Sequence, residues 1–136
     1  MSVYDSMILF DTDICVELLR GNQKIIRKRK EFRGEVAIGF MTVSELYYGA
    51  ANSVFSDENK YLVDRFLMTI TCIQSDLDIS VRFGRLKAGL KKKNILIPDA
   101  DLFIAATTLE KADMLVTRNV KHFQRIKELK IENWLT

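Results

Sequence analysis

The sequence predicts an α/β domain in which helices cover a mainly parallel sheet, and three observations carry that expectation. Residues 7–10 (MILF), 36–40 (VAIGF) and 114–117 (MLVT) are apolar runs of strand length. Each is followed by a polar residue and then by apolar positions at helical spacing, which is the alternation of βα units. At 136 residues the chain has the length of one ordinary domain.

Taken in order, residues 7–10 run into "DTDICVELLRG", where a helix begins. "TVSELYYGAA" predicts a helix packed through Val43, Leu46, Tyr47 and Ala50. Another helix carries Leu62, Arg65, Phe66 and Thr69 on one face and starts near Ser56 or Asp57 as its cap. Residues 72–74 fit a short strand, and 79–92 a long basic amphipathic helix with Gly84 and Gly89 inside it. Pro98, the only proline, precedes "DADLFIAATTLEKA", whose continuous apolar stretch at 102–106 marks a buried helix. A short helix over 120–126 and a strand near 131–134 complete a single domain, 1–136, without repeats or a linker.

A composition of 48% hydrophobic and 29% charged residues is that of a folded soluble protein. No apolar run approaches the ~20 residues that span a bilayer, and no basic stretch precedes an apolar core and cleavage site. The expectation is a cytoplasmic protein without a membrane partner. Cys15 and Cys72 are isolated and His122 is the only histidine, which excludes a disulfide framework and a zinc site. Both cysteines are expected in the core. The net charge of +3 is concentrated in two runs: 24–33 holds six basic residues against Glu31, and 82–93 holds six against none. Such runs are ordinarily solvated helix faces. Their alternative use is contact with the phosphates of a polyanion through counterion release, with Arg85, Lys91, Lys92 and Lys93 as the candidates.

The acids fall at telling places. Asp11 follows the first strand, Glu45 lies in the first helical turn after the second, and Thr117 and Asn119 close the strand at 114–117. Asp99 and Asp101 open the buried helix. Parallel strands all end on one side of the sheet, so the strand-linked groups must share that edge. Carboxylates brought together raise one another's pKa unless a cation neutralises them. Oxygen ligands without thiolate or paired imidazoles suit Mg²⁺ or Mn²⁺, which can activate water against a phosphodiester. A nuclease using two imidazoles is excluded. Each residue also has an ordinary structural role open to it. Asp11 or Thr12 can cap the first helix, residues 42–45 form a capping box ending on Glu45, and Asp99 can cap after Pro98. Asp101 complements a helix dipole, Asn119 suits a left-handed turn, and His122 suits a satisfied surface position.

The segments "MILFDTDICVELLRG", "TVSELYYGA", "IPDADLFIAATTL" and "LVTRNVKHFQRI…LKIENW", in that order from 7 to 134, resemble the signature segments of PIN-domain toxins of the VapC type. The resemblance implies a three-layer α/β/α fold and a Mg²⁺- or Mn²⁺-dependent endoribonuclease restrained by a cognate VapB-type antitoxin, usually as a homodimer. Carried over by motif, it places catalysis and metal binding on Asp11, Glu45 and Asp101, with Thr12 and Thr117 lining the site. The fourth position, often aspartate, is Asn119 here, and Asp13 stands where many relatives carry asparagine. Asp99 and Asn119 leave both one- and two-metal schemes open. Three alternatives remain: a non-catalytic PIN-like module that binds RNA or protein, a phosphohydrolase of the haloacid dehalogenase type, and a phosphoryl-receiver domain. The dehalogenase pattern shares a strand followed by D-x-D but requires a following Gly-Thr and later Lys and Gly-Asp segments that are missing here.

Overall fold

The computed structural model describes residues 6–136, so the first five residues of the expected 1–136 domain lie outside it. Five strands form one sheet: β1 (Met7–Phe10), β2 (Glu35–Gly39), β3 (Thr71–Ile73), β4 (Met114–Val116) and β5 (Ile131–Glu132). Their order is β3-β2-β1-β4-β5 and every pairing is parallel. Seven helices are present among the described residues: α1 (Thr12–Leu19), α2 (Gln23–Glu31), α3 (Phe40–Ala51), α4 (Ser56–Leu67), α5 (Leu77–Lys92), α6 (Asp99–Lys111) and α7 (Val120–Phe123).

Strand residues alternate between faces, and both faces are buried. Ile8, Phe10, Ile38 and Val116 pack with Ile14, Ile25, Leu46, Val63, Phe66 and Trp134 on the α1–α4 side. Leu9, Ala37 and Leu115 pack with Ile79, Leu86, Leu90, Leu102 and Ile104 on the side of α5 and α6. The result is the expected three-layer α/β/α arrangement. Phe10 and Leu9 are both fully buried, each burial worth roughly 1.5–3 kcal/mol. The strand order also differs from the 2-1-3-4-5 order of flavodoxin-like receiver domains, which removes that alternative.

Local expectations were corrected at the helix starts. Gly39 closes β2 and is itself the N-cap of α3, so strand passes into helix with no loop. A Cβ on Gly39 would stand 3.1 Å from Thr107 Cγ2, a close approach that favours glycine. The helix therefore begins at Phe40, Glu45 lies in its second turn, and no capping box forms over 42–45. Ser56 is the first residue of α4 rather than its cap, which is Phe55. Asp99 is likewise the first residue of α6, and Pro98, without a side-chain bond, is the cap. The buried face of α4 uses Val63 and Phe66, while Leu62 is exposed and Thr69 lies beyond the helix end. Cys15 is buried as expected, but Cys72, on edge strand β3, is only partly so. Asn119 has φ −86° and is the N-cap of α7, not a left-handed turn residue.

Candidate active site

The sheet places its site where the chain reverses direction: β2 and β3 lie on one side of β1, β4 and β5 on the other. Such a switch point opens a crevice at the carboxyl ends of the strands. Asp11 follows β1 directly and is the N-cap of α1, with an extended backbone. Its Oδ1 accepts from the Thr12 N–H at 2.8 Å and its Oδ2 from the Thr117 hydroxyl at 2.7 Å. Both of its oxygens are thus held, one by its own helix and one by the neighbouring strand's end.

Burial is the main reason that the Asp11 pKa is pushed up to about 7, and the charge of Asp13 is the next. The bonds from Thr117 and Thr12 oppose this rise, and Asp101 adds to it. Asp13, two residues into α1, also has its pKa raised, first by burial. Its Oδ2 accepts from the Arg118 backbone N–H at 3.1 Å, while its Oδ1 is buried without a hydrogen-bond partner among the described residues.

Thr12 extends the cluster to α3. Its hydroxyl donates to Glu45 Oε1 at 2.6 Å and shares a 3.0 Å hydrogen bond with the buried Thr42 hydroxyl. On the other side, Thr117 Oγ1 accepts from the Asn119 N–H at 2.9 Å. His122 Nδ1 stands 2.8 Å from Asn119 Nδ2 and 2.9 Å from Asp101 Oδ2. One ring nitrogen either donates to the carboxylate or accepts from the amide, so the tautomer of His122 chooses between them. Polar contacts therefore run from Glu45 through Thr12, Asp11, Thr117 and Asn119 to His122, whose Nδ1 makes its hydrogen bond to Asn119 in one tautomer and to Asp101 in the other.

Of the sequence candidates, the structure brings together Asp11, Thr12, Asp13, Glu45, Asp101, Thr117 and Asn119. It leaves Asp99 out: that carboxylate is exposed and 2.9 Å from Lys87 Nζ. The split follows from helix geometry, since at ~100° per residue positions 99 and 101 project about 200° apart. Arg85 and Lys93 line a separate cleft with Arg125 and Lys127, outside whose lining lie Lys91 and Lys92. Two participants were missed. His122 was assigned to the surface, although its spacing of three from Asn119 on one helical turn was a usable signal. Arg118 acts through its backbone N–H on Asp13, which no side-chain pattern reveals, while its guanidinium holds Glu17 at 2.8 Å.

Among the described residues no three acidic, histidine or cysteine side chains stand in a group able to hold a metal ion as they are placed. The donor set nonetheless fits a hard cation. Asp11 and Asp13 are both disfavoured as anions, Asp101 repels both, and Asp13 keeps a buried oxygen without a donor. Charge-poor burial of carboxylates is costly until a cation is shared between them.

A family model described as PIN domain matches residues 8–129. The chain is 30% identical over 128 residues to Ribonuclease VapC2 of Haemophilus influenzae, covering 93% of this chain and 97% of that protein. It is 27% identical over 127 residues to the tRNA(fMet)-specific endonuclease VapC of Salmonella typhimurium, with 93% and 96% covered. Among solved structures, VapBC2 of Rickettsia felis, bound to a DNA fragment from its promoter, superposes with a TM-score of 0.88 at 30% identity. That likeness covers 94% of this chain and 98% of the other.

Proposed function

Since the chain belongs to the PIN-domain family and, within it, to the VapC ribonucleases, we propose that its acid cluster hydrolyses RNA phosphodiesters with the help of Mg²⁺ or Mn²⁺. The protein is the toxin of a type II toxin–antitoxin pair. Its partners in this reading are the RNA substrate, a cognate VapB-type antitoxin and a second copy of itself, in the cytoplasm. No helix among the described residues is long and apolar enough to cross a membrane.

The observation that carries the proposal is the gathering of Asp11, Glu45 and Asp101, through polar contacts with Thr12, Thr117, Asn119 and His122, at the carboxyl ends of parallel strands. These three acids would hold the metal, with Asp13 and Asn119 as further oxygen donors. A bound divalent cation supplies a water of lowered pKa and charge neutralisation at the phosphorus. The chain's own residues do the positioning. Thr12 N–H and Thr117 fix the Asp11 carboxylate, the Thr12 hydroxyl steers Glu45, and His122 holds one oxygen of Asp101 and leaves the other open. Asn119 presents an amide able to orient a water. Groups held before the substrate arrives need no reorganisation during reaction, which is where most catalytic stabilisation arises.

Sequencing RNA 5′ ends after induction tests the reading and identifies the substrate. New ends are expected with the wild type and none with Asp101→Asn. Identical end profiles from both proteins would exclude a nuclease centred on these acids and favour the non-catalytic binding module.

A further inference from the structure

We propose that the cleft between α5 and the segment after α7 is a phosphate seat for the RNA backbone, separate from the acid cluster. Arg85, Gly89 and Lys93 follow one another at intervals of four and so stack along one face at the end of α5. Opposite them stand Arg125, Lys127 and Glu128, with Leu86, Leu90 and Ile126 between, around a cavity of about 150 Å³. Four cations thus face one carboxylate.

Among the described residues the cleft's cations differ from the two paired cations of α5, while Lys91 and Lys92 are as unpaired as they are. On the same helix Lys87 meets Asp99 and Arg82 meets Glu110. Among the described residues, Arg85, Lys93, Arg125 and Lys127 have no ion-pair partner. Arg125 Nε is shielded from solvent without an acceptor, and its Nη2 makes only a long 3.3 Å bond to the Leu96 carbonyl. Like charges gathered around a concavity repel until an anion enters.

Gly89, open like Gly84 on the same helix, leaves the surface between Arg85 and Lys93 bare. Glycine inside a helix costs ~1 kcal/mol relative to alanine. A Cβ at Gly89 would meet nothing within 4 Å, and its φ is not positive, so neither packing nor backbone conformation of this chain requires glycine there. Its bare surface between Arg85 and Lys93 lets an external group approach the helix backbone. The cleft is linked to the acids along the chain: Arg125 lies three residues after His122, and its bond to Leu96 ties it to the loop that enters α6 and Asp101.

The identity of the polyanion rests on the ribonuclease reading, but the test is binding in EDTA, so it is scored independently of cleavage. Anisotropy of a labelled short single-stranded RNA is measured against salt for the full chain and three variants. Arg85→Ala/Lys127→Ala is expected to weaken binding about tenfold or more and to flatten the log–log salt slope by about 1.4, two contacts at ~0.7 each. Gly89→Glu, placed in open space, should fold normally and weaken binding similarly, whereas Lys91→Ala/Lys92→Ala keeps most of the affinity. An unchanged affinity and slope in the Arg85/Lys127 variant, with a wild-type melting curve, would overturn the proposal. So would loss of a protein partner by that variant with RNA binding intact, which would assign the cleft to protein.

Discussion

Thr117 Oγ1 donates a 2.7 Å hydrogen bond to Asp11 Oδ2 across 106 positions of sequence, and the threonine is fully buried. The same oxygen accepts the Asn119 N–H. Thr117→Val keeps the shape and removes both bonds, leaving a carboxylate oxygen and an N–H unsatisfied. The expected cost is ~1–3 kcal/mol in urea unfolding, with reduced cleavage as Asp11 loses its tether.

Asp11 also predicts a pH dependence of the metal-free protein. Its pKa rises from 3.8 to about 7 on folding. Between those values the native state keeps a proton that the unfolded chain has released, so stability falls as pH rises through that window. Glu17, Asp64 and Asp76, whose pKa values are lowered, titrate below it and act in the opposite sense there. In EDTA the protein should melt lower at pH 8 than at pH 5, by an amount on the order of a few kcal/mol at most. Mg²⁺ should raise the melting temperature more at pH 8 than at pH 5. Asp11→Asn should flatten the profile.

Asp99 and Asp101 should separate cleanly. Asp101→Asn is expected to abolish cleavage with little change in melting temperature. Because Asp99 is not a cap but half of an exposed ion pair with Lys87, Asp99→Ala should cost under ~1 kcal/mol and leave activity near wild type. Parallel melts and cleavage assays decide it; an inactive Asp99→Ala would reverse the assignment.

Glu45→Gln preserves an oxygen for the Thr12 hydroxyl and removes the charge. Cleavage should disappear while unfolding stays within about 0.5 kcal/mol of wild type, since the side chain serves no capping box. Full activity in this variant would return Glu45 to a structural role.

His122→Ala should weaken Mn²⁺ binding about ten- to hundredfold, the usual effect of removing a group that orients a ligand. Calorimetric titration reads this without turnover. His122→Asn, which can still donate to Asp101, should recover part of it; unchanged Mn²⁺ affinity in His122→Ala would leave the imidazole a surface role.

Much of this was legible in the sequence for physical reasons. The strands at 7–10, 36–40 and 114–117 are buried on both faces, so they read as continuous apolar runs. The placement of Asp11, Glu45, Thr117 and Asn119 at one edge followed from parallel topology, whereas Asp101, which opens a helix, was placed by the resemblance of its motif. Helix starts were less legible. Thr42 and Glu45 have the spacing of a capping box, yet β2 passes straight into α3 because Gly39 packs against Thr107, a contact 68 positions away. His122 likewise finds Asp101 across 21 positions through a tertiary contact. Leu62 failed as a core position because the face of α4 is set by what α3 offers it, not by its own periodicity alone.

The strand order has a consequence for synthesis. β1 emerges first from the ribosome but sits in the middle of the sheet, between β2 and a strand made about a hundred residues later. Until residues 114–119 are out, one side of β1 has no partner and Asp11 has neither Thr117 nor the Asn119–His122 link to Asp101. A nascent chain that stops short of β4 therefore carries the acids but not their arrangement.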